Sequence, residues 1–428
     1  MAPKFGVTLS FQVHRGLGDA WDSSYRESLE LAAEVNRLGF ESIWVSEHHG
    51  EDDGYCPSPV VACAALAAAA PACRIGQGVA LAPLYGHPLR MAEDLSVVDN
   101  LSGGRVEIGL GQGYRPPEFD MFGWPYARRT RAFEESLDIL GLAWRGERFD
   151  YDGKVYKVKA GLLRPPPVRP GALPLWIGAA APKARSRAVR YRAGLIVAPL
   201  FELKLLTRQI QSFDEEAVRQ NVGPLPHALM REVLVGDSAH DAIKRHQPFI
   251  DHVYRVQYAP ERTGQIFIDP KTGERRPLTS DNPYYLSEAF MQDRWFLGSP
   301  ADIAAKMIEW LPRAPLEHFI FQARQPGMTL RHAVDSLEAI ATGVLPVVRE
   351  AALEEGGSHA RHHHGREVPG RFRRLAKRPV RRRRAPRDQG PVGARSHLQG
   401  AARPADHGDA RPDRAGWPHW TDADVVRL

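Results

Sequence analysis

"YRESLELAAEVNRLGFESIWVSEHHG", Tyr25 to Gly50, holds most of a structural repeat. Apolar residues recur at helical spacing from Tyr25 to Leu38, and Gly39 closes the pattern. Ser42 to Ser46 (SIWVS) then reads as a short buried strand, with the polar cluster Glu47, His48, His49 directly after it. A helix feeding a strand whose end carries chemistry-bearing side chains is the grammar of a βα repeat.

Working outward, the alternation recurs along the chain. Phe5 to Phe11 (FGVTLSF) precedes it as a strand, and an alanine-rich helix from about Ser58 to Ala70 follows. Further strands are expected at Arg74–Ala82, Val106–Leu110, Leu175–Gly178, Leu195–Ala198, His227–Val235 and His318–Phe321, with helices at Pro88–Leu101 and Arg129–Trp144. Eight strands of this kind predict an α/β fold, a (β/α)8 TIM barrel with insertions, ahead of an open doubly wound sheet. In either fold, functional groups belong after the C-terminal ends of strands. Two stretches exceed a simple connection: Arg148–Lys159 alternates like a hairpin, and Arg245–Arg294, rich in proline and tyrosine, has the length of a lid.

The charge of the 428-residue chain is unevenly spread. Its net +6 comes from residues 356–428, with 17 Lys+Arg against 7 Asp+Glu, while the remainder has 40 against 44. Residues 1–355 are therefore expected to form the barrel, and 356–428 a disordered, arginine-rich tail that cannot bury a core. Arg381–Arg384 could neutralise phosphates, but aromatic residues are sparse until Trp417 and Trp420, so nucleic acid is not the expected partner. No apolar run suggests a membrane span and no leader pattern is evident, so a cytoplasmic protein is expected. Cys56, Cys63 and Cys73 lack paired spacing, which argues against disulfides and zinc.

Three motifs carry candidate chemistry. His48 and His49 are consecutive, so their rings should face opposite sides of the chain, which disfavours a shared metal; a proton-handling His48 competes with a merely structural one. Gly76 and Gly78 lie inside a strand, where glycine marks either a bend or close approach of a ligand. In WIGAAAPKARSRAVR (Trp176–Arg190), a small-residue turn opens a basic helix whose free N–H groups suit a phosphate. The GLGQG run at Gly109–Gly113 is weak evidence on its own.

Taken together, FGVTLSF, GFESIWVSEHHGEDDGY, IGQGVALAPLYGHPLR, EDLSVVDNLSGGRVEIGLGQGYRPPEF, RRTRAFEESLDIL, LPLWIGAAAP and WFLGSPADIAAKM resemble the bacterial luciferase-like, flavin-dependent monooxygenases over about Lys4–Glu350. The resemblance implies a (β/α)8 barrel, usually a homodimer, that takes reduced FMN from a separate NAD(P)H:flavin reductase and uses O2 on a small organic substrate. Part of the same superfamily uses a 5-deazaflavin for hydride transfer instead. A non-catalytic flavin-binding barrel is the more distant alternative.

By the same resemblance, His48 is the catalytic histidine, with Glu47 expected to orient it. Gly78 and Val79 match a pair joined by a non-prolyl cis peptide beneath the flavin ring. Gln112, Gly113 and Tyr114 line the flavin, Arg131 binds its phosphate, and Ala180 and Ala181 form the phosphate turn. Gln112 stands where luciferase itself has an arginine, and Ala180 and Ala181 replace polar residues, leaving only backbone donors. Gly111 replaces a cysteine, so light emission is not implied. Arg115, the Gly50–Tyr55 loop and the long insertion are expected to shape the substrate side, with Tyr284, Tyr285 and Trp295 suggesting an aromatic or apolar substrate.

Overall fold

Eight parallel strands close on themselves: β1 (Lys4–Leu9), β2 (Ser42–Val45), β3 (Arg74–Gln77), β4 (Val106–Gly111), β5 (Leu175–Gly178), β6 (Gly194–Val197), β7 (His227–Val235) and β8 (His318–Gln322). β8 pairs with both β7 and β1, and β7 with β6, so the ring has no free edge. The computed structural model describes residues 2–199, 201–263, 265–268, 274–312, 316–322 and 324–359. The arginine-rich segment with Arg381–Arg384, Trp417 and Trp420 lies outside them. The last described helix, Leu345–His359, runs across the boundary expected at residue 355.

Alternation along each strand sorts side chains between two cores. Phe5, Val7, Leu9, Ile43, Val45, Ile75, Ile108 and Leu110 face outward, into the layer packed by the surrounding helices. The inward positions hold Trp44, Trp176, Ile196, Ala228, Met230 and Ile320, with Trp44 and Trp176 edge to face at 6.0 Å. Two indoles fit inside an eight-stranded ring because their neighbours are glycine: a Cβ on Gly76 would lie 2.6 Å from the Trp44 ring, and one on Gly194 2.5 Å from Trp176. The barrel floor is thus solid, and functional groups are left to the loops at the C-terminal mouth.

The eight strands expected from sequence are the eight of the barrel, with one change. The stretch Arg74–Ala82 is split: β3 ends at Gln77, Gly78–Val79 is a cis peptide, and Ala80–Leu81 resumes pairing with β4. A ninth strand, Phe296–Gly298, pairs with β7 beside the ring. At three residues it is too short to show any alternation. The predicted hairpin is present as Phe149–Asp152 against Lys157–Gly161. The long insertion builds its own satellite core from Tyr254, Leu278, Tyr285, Phe290, Met291 and Trp295, packed on Leu234 at the end of β7. No described helix is long and apolar enough to cross a membrane.

Two glycines should respond to alanine with opposite signs. A Cβ at Gly109 would fall 1.7 Å from the Gln77 carbonyl oxygen on the next strand, whereas Gly141, within the helix Arg129–Ala143, meets nothing within 4 Å. Gly109→Ala is expected to leave the barrel unfolded or insoluble, and Gly141→Ala to stabilise it by about 0.5–1 kcal/mol. Thermal melts of the two variants check both.

Candidate active site

The chain after β2 delivers Glu47, His48 and His49 to the mouth of the barrel, and their side chains separate there. His48 Nδ1 lies 2.7 Å from Glu118 Oε1, and the His49 backbone N–H donates to the same oxygen at 3.2 Å. His49 Nε2 lies 2.7 Å from Glu47 Oε1, while Glu47 Oε2 accepts the Leu81 N–H at 2.7 Å. Glu47 therefore does not orient His48 as expected. Consecutive residues in extended chain point apart, and the carboxylate that reaches His48 comes from the short helix Pro116–Met121, 70 residues away. Glu118 was missed in sequence because nothing local links it to His48.

The Glu118 contact assigns the proton on His48. A carboxylate accepts, so Nδ1 carries the hydrogen and Nε2 keeps a free lone pair. Burial pulls the His48 pKa below its ordinary value, over the opposing pull of Glu118. Burial alone would raise the Glu118 carboxyl, but the bonds from His48 and the His49 N–H, together with the Arg115 charge, outweigh it and leave it lowered. At neutral pH the pair is a neutral imidazole against an ionised carboxylate. Tyr55 packs edge-on against the His48 ring at 4.7 Å, and Tyr114 at 6.0 Å.

On one side of His48 the wall is nearly bare. Ser46 Oγ donates to the Gly78 carbonyl at 2.8 Å, beside the cis bond to Val79. Val79 lies against the next two strands where they lack side chains: a Cβ on Gly111 would be 2.7 Å from it, and one on Gly178 3.7 Å. Gly113 has φ +75°, a conformation suited to glycine, and a Cβ there would press on Phe119. Tyr114 is exposed, and Gln112 accepts a 3.2 Å hydrogen bond from Thr130 Oγ1. A flat aromatic group fits such a wall.

Beyond β5 the turn Ala180–Ala181 is exposed and opens the helix Pro182–Arg190. Among the described residues no group accepts from the N–H of Ala180, Ala181 or Lys183, so these donors are available to an anion. Arg185, not singled out in the sequence, folds back so that Nη1 donates to the Ala180 carbonyl at 2.5 Å, bringing a buried cation to the turn. Arg131 is exposed on the helix Arg129–Ala143, and Glu134 of that helix pairs with Arg187 at 3.0 Å, clasping the two helices together. The donor set fits the phosphate of a flavin mononucleotide.

The other side of His48 is covered by the insertion. Tyr258 Oη meets Tyr55 Oη at 3.0 Å, and Glu51 bridges Arg115 and Arg262, the latter at 2.6 Å. Tyr254 and Tyr258 are presented by a π-helical turn, Val253–Gln257, a distortion often found at functional sites. Tyr284, Tyr285 and Trp295, expected near the substrate, belong instead to the insertion's satellite core. Their apolar bulk is spent on holding the insertion together.

Replacing Glu118 tests the tautomer assignment. In Glu118→Gln the groups that raise the His48 pKa are reduced while burial stays, so the ring should titrate at a still lower pH than in the parent protein. Imidazole NMR during a pH titration measures this; an unmoved or raised His48 value would show that Glu118 does not hold the ring. Because His48 is already lowered, the folded protein should lose stability as pH falls below about 6.5, where the unfolded chain takes up the proton first.

The chain is similar to known proteins over most of its length. A family model described as luciferase-like monooxygenase matches residues 3–315. The oxygenase component of a flavin-dependent trigonelline monooxygenase from Acinetobacter baylyi is 24% identical over 77% of this chain and 91% of its own. An F420-dependent glucose-6-phosphate dehydrogenase from Microbacterium testaceum is 29% identical over 43% of this chain and 56% of its own. Several other curated relatives are likewise spanned over only about half to two thirds of their length. The oxygenating constituent of 3,6-diketocamphane monooxygenase from Pseudomonas putida, a type II Baeyer-Villiger enzyme solved with FMN, superposes with a TM-score of 0.66 at 20% identity, over 81% of this chain and 99% of that one. With the family model matching most of its length, the chain belongs to the luciferase-like monooxygenase family.

Proposed function

We propose that this protein is the oxygenase component of a two-component monooxygenase, using FMN reduced by a separate NAD(P)H:flavin reductase, and O2, to oxygenate a small organic substrate. The observation that carries the reading is His48, whose free Nε2 stands at the mouth between the glycine wall of β3–β5 and the insertion. Reduced FMN, when bound, supplies the electrons that activate dioxygen. His48 supplies a base that is uncharged at neutral pH and holds or returns one proton at Nε2, with Glu118 fixing the ring. Glu47 acts on the architecture, tying His49 to the Leu81 N–H just past the cis bond. Gly78, Val79, Gln112, Gly113 and Tyr114 line the ring, while Arg131, Ala180 and Ala181, joined by Arg185, receive the phosphate. Tyr55, Tyr258 and the Glu51 bridge exclude water from the reacting side.

A 5-deazaflavin reading is kept in view by the F420-dependent relatives, which transfer hydride without oxygen. Anaerobic titration with reduced FMN and, separately, with reduced F420 distinguishes them. Tight binding of FMN, followed by reoxidation slower than that of free FMN when oxygen is admitted, is the expected result; binding of F420 alone would move the protein to the hydride-transfer branch. With FMN, His48→Ala is expected to bind the cofactor normally but to lower product formed per NAD(P)H consumed by roughly 100-fold or more, the electrons appearing as hydrogen peroxide. Full coupled oxygenation in that variant would sink the role given to His48.

The reading includes a homodimer through the helices beside the early strands. Val61 on Pro59–Ala69 and Val97 and Leu101 on Pro88–Ser102 are exposed apolar residues on two adjoining helices, Val61 and Leu101 at 69% and 66%. Val61→Asp with Leu101→Asp should convert a dimer to a monomer in light scattering, with the fold intact by circular dichroism.

A further inference from the structure

Across the mouth from the glycine wall, three neighbouring strands set polar groups in one inward row. Glu232 of β7 and Gln322 of β8 are register partners, and Thr8 of β1 follows one step beyond the Val7–Phe321 pair. Gln325 lies just past β8. All four are buried, Thr8 at 3% exposure, Glu232 at 0%, Gln322 at 5% and Gln325 at 1%. Thr8 Oγ1, Gln322 Nε2 and Gln325 Oε1 have no hydrogen-bond partner among the described residues. Folded proteins partner most such atoms, so three on one inward patch are open to a bond from a ligand or from water.

The chemistry of the patch gives the ligand its sign. Glu232 accepts from Tyr254 Oη at 2.6 Å and from the Gln325 side-chain amide, yet among the described residues it has no ion pair. Arg231 beside it turns to the other face of the strand and donates to the carbonyls of Ala198 and Phe201. Two of the three unpartnered atoms, Thr8 Oγ1 and Gln325 Oε1, can accept. Tyr254 packs against Tyr258, whose hydroxyl meets Tyr55 beside His48, so aromatic rings run from His48 to the carboxyl. A buried carboxyl with no ion pair among the described residues, open acceptors and aromatic rings suit a cation that carries N–H donors.

We infer that the β7–β8–β1 side of the mouth is the substrate subsite and takes a small organic cation, a protonated amine or protonated nitrogen heterocycle, with Glu232 as its counter-charge, Thr8 Oγ1 and Gln325 Oε1 accepting from its N–H groups, and Gln322 Nε2 donating to an acceptor elsewhere on the molecule. Calling the ligand a substrate rests on the oxygenase reading; the preference for a cation is a property of this wall alone. In the free protein, burial pushes the Glu232 carboxyl up to about 8, against the opposing pull of Tyr254, Gln325 and Arg231. The other titratable groups facing it, Tyr254 and Tyr258, are held well above their ordinary values by burial. An arriving cation therefore displaces the proton on Glu232.

The test uses the full chain without flavin, so that its outcome is independent of which cofactor binds. Calorimetric titration with benzylammonium and with benzyl alcohol, in two buffers of different ionisation heat, reads affinity and proton release together. The cation is expected to bind roughly tenfold or more tighter than the alcohol, to release a proton near neutral pH, and to tighten as pH rises towards about 8. Glu232→Gln should abolish the release and remove the preference. Equal binding of the alcohol, binding of the cation with no proton release, or no binding of the cation at all would each overturn the assignment. These readings come from the unaltered protein and stand even where the variant does not fold.

Discussion

The fit of Trp44 and Trp176 against glycine backbone is the constraint on which the rest of this molecule depends. An eight-stranded ring has little interior volume, and two indoles consume it only because Gly76 and Gly194 leave the strands beside them bare. Filling the lower ring with rigid aromatic surface fixes the strand register from within. The glycines near the top, Gly78, Gly111 and Gly178, make room for smaller side chains: Val79 lies against Gly111 and Gly178, and Met230 against Gly78. One residue type thus admits indoles at the floor and aliphatic side chains near the mouth, distinguished by what stands opposite.

Above that floor the site is assembled from pieces remote in the chain. His48 follows β2, its carboxylate partner follows β4, and Tyr258, which meets the Tyr55 hydroxyl beside it, comes from an insertion after β7. Where the partners are buried, as in His48–Glu118, breaking the contact leaves a desolvated group behind. Geometry at His48 is thereby tied to the docking of segments that never touch it, including Glu51 between Arg115 and Arg262.

The fold was legible in the sequence because its signals are local: a period of 3.6, an alternation of two, and a glycine or proline at each boundary. Seven of the eight strands were located to within about two residues, and the third was split by the Gly78–Val79 cis peptide. Candidate residues at strand ends were legible for the same reason, and His48 and Gly78–Val79 stand where the reading put them. Pairings were not. Glu118 reaches His48 through a loop whose path no periodicity describes, and Glu47 was given its role through adjacency alone. Tyr284, Tyr285 and Trp295 look in sequence like a binding surface, but an insertion of that length must first bury a core of its own. Glu232 was readable in principle, since an acid in HALMREVLV (His227–Val235) shares a face with Ala228 and Met230.

The three cysteines have a bearing on durability. All are free and buried, and burial pushes the thiols of Cys56, Cys63 and Cys73 up to about 11, 12 and 11. Cys56 lies one residue past Tyr55, and its carbonyl accepts the His48 N–H. Oxidants attack the thiolate, and at neutral pH almost none of these sulfurs is in that form. On the proposed oxygenase function, such insulation lets a sulfur beside the site survive repeated turnover. The apolar packing that builds the barrel therefore also protects it from chemical ageing.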